Sequence, residues 1–138
     1  MAIIGGAGNP VGGSFTGPAE ALEIIGEHCY AYGGISTAAN SPGTNYLSFT
    51  SGNYYAVVNV QCYNAVNDSS VINWEFELNG TKIFEYFQEG RSSIPINVQE
   101  GNAIIISPYT EVIVRGISTG TEVDGAVVLT GRIYRTRD

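Results

Sequence analysis

Residues 72–83 leave this chain little freedom of fold. Ile72, Trp74, Phe76 and Leu78 alternate with Asn73, Glu75 and Glu77, and Asn79-Gly80 then separates them from Lys82 and Ile83. Alternation with period two is the mark of a half-buried strand. Asn-Gly is the dipeptide that a two-residue type I′ turn requires, because both central residues take positive φ. The spacing predicts Glu77 opposite Lys82 and Phe76 opposite Ile83, so that opposite charges meet on one face and apolar groups on the other. A Trp-Phe-Ile stripe at this period reads as core, not as a ligand platform.

The same period recurs along most of the chain. Tyr30 and Tyr32 share one face of a strand over 28–35, and Leu47 and Phe49 alternate with Tyr46, Ser48 and Thr50 over 45–50. Tyr54, Ala56, Val58, Val60 and Cys62 form the apolar face of a long strand, with Asn59 and Gln61 facing away. Ile94, Ile96 and Val98 make a strand that Pro95 places at an edge. The run from Ala103 to Ser107 has the continuous apolar character of a strand covered on both faces. Val112 and Val114 lead a further strand, and Ala126 to Arg135 form the last one. Residues 19–26, Ala-Glu-Ala-Leu-Glu-Ile-Ile-Gly, fit a helix of one or two turns ended by Gly26, or an extended lead-in strand. The pattern predicts an all-β fold, an antiparallel two-sheet sandwich of about eight strands.

Two segments follow from this: an arm and lead-in over 1–27, and the sandwich over 28–138. Met1 to Ala19 carries no charge, six glycines, and the apolar side chains Ile3, Ile4, Val11 and Phe15. So glycine-rich a segment cannot build its own core, since glycine has the most backbone entropy to lose. A solvating tail would be charged and poor in Ile and Phe. The arm therefore reads as a segment that orders against a neighbour, with those four side chains as candidate docking contacts.

Composition points the same way. Only 14% of residues are charged, against about 25% in ordinary soluble domains. Charge is depleted at interface cores, although small all-β domains are also often poor in Lys and Glu. The net charge is −7, Lys82 is the sole lysine, and only Arg132, Arg135 and Arg137 cluster, so a nucleic-acid partner is not expected. No run approaches the length of a membrane span and no leader pattern is visible, so a cytoplasmic product without a membrane partner is expected. The nine tyrosines exceed what one small core needs. Tyrosine suits contact surfaces, offering large area with a polar tip, although it is also a common strand residue. Tyr54, Tyr55 and Tyr63 are candidate contacts on this ground.

No constellation of residues carries catalysis, so no enzyme activity, cofactor or metal is expected. His28 and Cys29 are sequence neighbours, and neighbours in a strand point to opposite faces. Cys29 and Cys62 match no zinc spacing and read as buried thiols, with a bridge as the alternative. Glu75 and Glu77 share a face, as glycoside hydrolysis would need, but a solvated face with Glu77 matched to Lys82 is the simpler reading. Glu122 and Asp124 are too few to make a calcium loop by themselves.

Three stretches carry a resemblance. Cys29-Tyr-Ala-Tyr-Gly-Gly34, Tyr46-Leu-Ser-Phe-Thr-Ser-Gly52 and Val128-Leu-Thr-Gly-Arg-Ile-Tyr134 resemble small jelly-roll proteins of tailed-phage and other marine viral genomes. The resemblance spans roughly residues 28–135 and rests on strand-and-turn patterns. It implies jelly-roll topology and a virion structural protein: a bacteriophage capsid cement or decoration protein, often a homotrimer, that binds the major capsid protein on the capsid exterior. It transfers no catalytic residue. Trimers of the tumour necrosis factor and C1q type are similar in architecture only. The alternative is a carbohydrate- or receptor-binding jelly-roll module of a virion fibre or surface protein, with Trp74 or exposed tyrosines stacking on sugars.

Overall fold

A computed structural model describes residues 19–65, 69–90, 96–97 and 103–135. They form ten strands: β1 (Glu23–Ile25), β2 (His28–Ala38), β3 (Thr44–Thr50), β4 (Tyr54–Asn64), β5 (Val71–Leu78), β6 (Thr81–Glu89), β7 (Ile96–Asn97), β8 (Ile104–Ile106), β9 (Glu111–Thr119) and β10 (Val123–Arg135). One sheet runs β1-β2-β10-β4, with β7 and β8 both on the far edge of β4, and the other runs β3-β9-β5-β6. All the strand pairs are antiparallel. The expected all-β two-sheet sandwich is what forms, with no helix among the described residues.

Because the chain passes from β2 to β3, β3 to β4, and β4 to β5 by changing sheets, each sheet is assembled from distant segments. Their inner faces meet in one core. The even positions of β4 from Tyr54 to Cys62 are buried there, as are Ile72, Trp74 and Phe76 of β5. The indole of Trp74 packs edge-on against Tyr46, ring centroids 5.2 Å apart. Gly116 of β9 makes room for both rings: a Cβ there would lie 2.7 Å from the indole and 2.9 Å from the Tyr46 ring.

A buried polar link joins the sheets. The Trp74 indole N–H donates to Gln88 Oε1 at 3.0 Å, and Gln88 Nε2 donates to the Cys62 carbonyl at 3.2 Å. Gln88 lies on β6 and Cys62 on β4, so one amide satisfies a donor in one sheet and an acceptor in the other. Satisfying both is what makes burial of this glutamine tolerable.

The structure resolves or departs from the sequence expectations at four places. Of the two readings of 19–26 the extended lead-in forms rather than the helix: residues 23–25 are edge strand β1, Ile24 pairs with Cys29 and packs on the core, and Gly26 turns the chain at φ +61°. A one- or two-turn helix would gain few hydrogen bonds for its nucleation cost, whereas this edge offers both pairing and burial. Ala19 is also fully buried and bridges Leu47 in parallel, so residues 19–27 pack with the sandwich.

The type I′ turn forms as expected, with Asn79 at φ +51° and Gly80 at φ +79°, and Glu77 pairs with Lys82. Phe76, however, pairs with Phe84, because Ile83 is an extra residue in a bulge. The bulge turns Phe84 inward to stack on Phe76, centroids 5.3 Å apart, and leaves Ile83 exposed. A second bulge, at Tyr46, turns that ring into the core beside Leu47, where its hydroxyl donates to the Ser36 carbonyl at 2.6 Å. Finally, β8 is covered on one face only: Ile104 and Ile106 point inward while Ile105 faces out. The expected strand through Ile94, Pro95 and Val98 lies outside the described residues except for β7.

Candidate contact surface

The residue pairs that might support catalysis are used otherwise. His28 is exposed on the outer face of its sheet and Cys29 is buried on the inner face. Burial pushes the Cys29 thiol up to about 11 and that of Cys62 higher still. Both remain thiols at neutral pH, with little of the thiolate that nucleophilic chemistry uses, and both are free. Glu122 Oε2 accepts from the Asn40 backbone N–H at 3.1 Å, and Asp124 Oδ1 accepts from the Thr37 hydroxyl at 3.0 Å. Glu122 ties the β9–β10 loop to the loop after β2, and Asp124 ties the start of β10 to β2. Among the described residues no group of three or more His, Cys, Asp or Glu could hold a metal ion.

Glu75 and Glu77 belong to a charged network on the outer face of the four-stranded sheet. Arg115 Nη1 donates to Glu77 at 2.8 Å and to Glu75 at 3.3 Å, while its Nε donates to Asn45 Oδ1 at 3.1 Å. Lys82 pairs with Glu75 at 2.9 Å and Glu85 at 3.3 Å. The partner of Glu77 is therefore Arg115, although Lys82 stands opposite it in the ladder. The adjoining carboxylates hold Arg115 and Lys82 above their ordinary values, chiefly through the hydrogen bonds these cations donate to Glu77 and to Glu75 respectively. Cations fill the space between these carboxylates, so the pair lacks the open gap that a sugar ring and water would need.

The outer face of the β1-β2-β10-β4 sheet is of a different kind. Cross-strand pairing sets Ile25, His28, Arg132, Val57 and Ile105 in one row over β1, β2, β10, β4 and β8. At about 4.8 Å between strands, this row spans about 19 Å. The adjacent row pairs Tyr134 with Tyr55. Arg132 is ion-paired with Glu27 in the β1–β2 turn.

Tyr109 lies in the loop between β8 and β9, at φ +56°, with its N–H donating to the Gly52 carbonyl. Ile25 is 63% exposed, Ile105 61%, Tyr55 43%, Tyr134 52% and Tyr109 66%. Scattered exposed apolar residues need no explanation, but Tyr134, Tyr55, Val57 and Ile105 adjoin across β10, β4 and β8, and a contiguous group marks a contact surface, whereas Ile25 is set apart by His28 and Arg132.

Toward the other end, Tyr30 pairs with Thr130 and Thr130 with Asn59, while Tyr32 pairs with Val128 and Val128 with Gln61. The Tyr30 and Tyr32 rings lie 4.9 Å apart, tilted by 39°. Glu23 is the carboxylate nearest these rows, buried on β1 opposite Tyr30.

Of the residues singled out from the sequence, Tyr55 and Tyr63 lie on this outer face, Tyr63 only partly exposed. Tyr54 is 8% exposed and belongs to the core. Ile3, Ile4, Val11 and Phe15 lie outside the described residues, and Trp74 is buried. Sequence reasoning missed Ile25, Ile105, Tyr109 and Tyr134. Tyr134 was reachable, since it alternates with Ile133 and Arg135 in a strand whose inward register Val127 and Leu129 define. Ile25 and Ile105 required the strand pairing. No protein-family profile matches the chain and no curated protein matches it.

Proposed function

We propose that this protein is a virion structural protein: a jelly-roll capsid cement or decoration protein that binds the major capsid protein on the capsid exterior. In this reading it is made in the host cytoplasm, assembles as a homotrimer, and adds contact area across joints of the shell. The observation that carries the reading is the exposed apolar group on the outer face of the six-stranded sheet, Tyr134, Tyr55 and Ile105 around Val57. Placed against a capsid or a neighbouring subunit, these side chains would bury area worth about 25 cal/mol per Å² before the costs of association.

Two further features support the proposal. The strand order β2-β10-β4-β8 facing β3-β9-β5-β6 is the interleaving expected of a jelly roll. The uncharged segment 1–18 joins the sandwich at Ala19, whose N–H donates to the Tyr46 carbonyl and whose carbonyl accepts from Ser48 beside edge strand β3. A variant lacking residues 2–18 and keeping the buried Ala19 should fold with the full-length thermal midpoint but fail to co-sediment with assembled capsids. Undiminished co-sedimentation of that variant would remove the arm from the proposal. Absence of the full-length protein from purified virions, together with failure to rebind them, would remove the function itself.

A further inference from the structure

We infer that the Asn79-Gly80 turn is a site of spontaneous covalent modification: Asn79 deamidates through a cyclic imide, at a rate that the fold restrains. The site lies in the turn between β5 and β6 of the four-stranded sheet, and it is independent of the assembly role. Asn79 is the only asparagine in the chain that is followed by glycine.

The step needs only water. The backbone nitrogen of Gly80 attacks the side-chain carbonyl carbon of Asn79 and gives its proton to solvent. The new C–N bond closes a five-membered imide, and the Cγ–NH₂ bond breaks to release ammonia. Water then adds to one of the two imide carbonyls. Attack at Cγ restores the backbone and leaves aspartate, whereas attack at the backbone carbonyl carbon leaves isoaspartate, with the main chain routed through the side chain.

The structure presents the reacting groups. Asn79 and Gly80 are exposed, and among the described residues the Gly80 N–H makes no hydrogen bond. A Cβ on Gly80 would meet nothing within 4 Å, so no neighbour crowds the attacking nitrogen. Asn79 already holds φ +51°. Closing the ring requires a nearly eclipsed Cβ–Cα–C–N torsion, which sets ψ of an L residue at about −120°. Positive φ with that ψ describes the first central residue of a type II′ turn, whereas in the type I′ turn ψ is about +30°. The two turns differ by a flip of the 79–80 peptide plane. Gly80 accepts the change in sign of φ that the flip brings.

One contact opposes closure. Asn79 Oδ1 accepts from the Glu111 N–H at 2.9 Å, and the Asn79 N–H donates to the Glu111 carbonyl at 2.9 Å. The first bond fixes the side-chain amide on β9 in the resting turn, and swinging Cγ onto the Gly80 nitrogen breaks it. Folded chain is therefore modified here, but more slowly than unfolded chain. Aspartate keeps an oxygen for the Glu111 N–H. Isoaspartate lengthens the main chain within a two-residue turn, which displaces that oxygen and disturbs the pairing of Leu78 with Thr81.

The test incubates the full chain at pH 8.5 and 37 °C, folded or unfolded in urea, and cleaves it after glutamate to release the peptide 78–85. In folded chain this peptide should gain the mass of an NH₂-to-OH exchange before any other asparagine reacts, at a rate at least tenfold below that of unfolded chain. Isoaspartyl methyltransferase should label the product. Asn79→Gly, which suits a type I′ turn, should abolish both signals. The isoaspartyl form, separated by anion exchange, should melt several degrees below the unmodified chain. Earlier modification at another asparagine, equal rates in folded and unfolded chain, or unreactive folded chain under conditions that modify unfolded chain would each overturn the inference. An isoaspartyl form that melts with the unmodified chain would likewise overturn the role given to the Glu111 contact.

Discussion

Replacing Gln88 by Met tests the polar link between the sheets. Methionine keeps the unbranched shape, so the change removes hydrogen bonds with little change of volume. The indole N–H of Trp74, which donates to Gln88 Oε1 at 3.0 Å, would be left buried without an acceptor, at a cost of about 1–3 kcal/mol. The Cys62 carbonyl would lose its 3.2 Å bond but keep a second lone pair for the ladder, a smaller loss of about 1 kcal/mol. A buried thioether returns about 1 kcal/mol relative to the amide. The net is a destabilisation of about 2 kcal/mol, or about 8 °C in thermal midpoint for a chain of this size.

Trp74 is the only tryptophan, so its fluorescence reports the denaturant transition directly. The Trp74→Phe variant, followed by circular dichroism, completes a double-mutant cycle. Once the indole donor is gone, Gln88→Met should cost about 2 kcal/mol less than it does in the unmodified chain. A Gln88→Met midpoint within 0.5 kcal/mol of the original, or a cycle with no coupling, would refute the argument that this amide couples the sheets.

Three other outcomes follow from the packing and charges. Gly131→Ala places a Cβ 2.1 Å from the Val57 carbonyl oxygen and 2.7 Å from Val58 Cα, both backbone atoms that cannot step aside, so the loss should exceed about 3 kcal/mol and show as poor recovery of folded protein. Arg115→Met should cost about 1 kcal/mol, because the network is partly solvated, and the difference from the unmodified chain should shrink in 1 M salt, read as denaturant midpoints at two ionic strengths. Burial raises the Cys29 thiol from 9.0 to about 11 and Cys62 further, so the unfolded chain releases these protons first as pH rises. Stability is therefore fully retained below about pH 9 and declines above it, by up to about 1.4 kcal/mol per pH unit for each thiol, while native protein stays unreactive to thiol reagents at pH 8.

Much of the sandwich was legible because its signals are local. The even positions of β4 and the Asn79-Gly80 turn are read from residues within one or two steps of each other, and the structure keeps both. The bulges at Tyr46 and Ile83 were not legible, since an extra residue reverses which side chain faces inward only when a partner strand fixes the register. Residues 19–26 stayed open between helix and strand for the same reason: Ala, Leu and Glu favour helix locally, and the edge of β2 recruits Glu23–Ile25 through pairing that local propensity cannot express. The contact surface was half legible. Tyr55 and Tyr63 follow from alternation along β4, but Ile25, His28, Arg132, Val57 and Ile105 come together across five strands although they are spread over 108 residues of sequence, and only the topology aligns them.

The most direct measurement is co-sedimentation of the purified chain with assembled capsids, comparing it with the Ile105→Glu and Tyr134→Glu variants. Both substitutions alter exposed outer-face positions and should leave the thermal midpoint nearly unchanged. The account predicts saturable binding of the unmodified protein and at least a tenfold loss with either variant. Capsid binding that both variants retain in full would contradict the claim that this end of the six-stranded sheet is the contact surface.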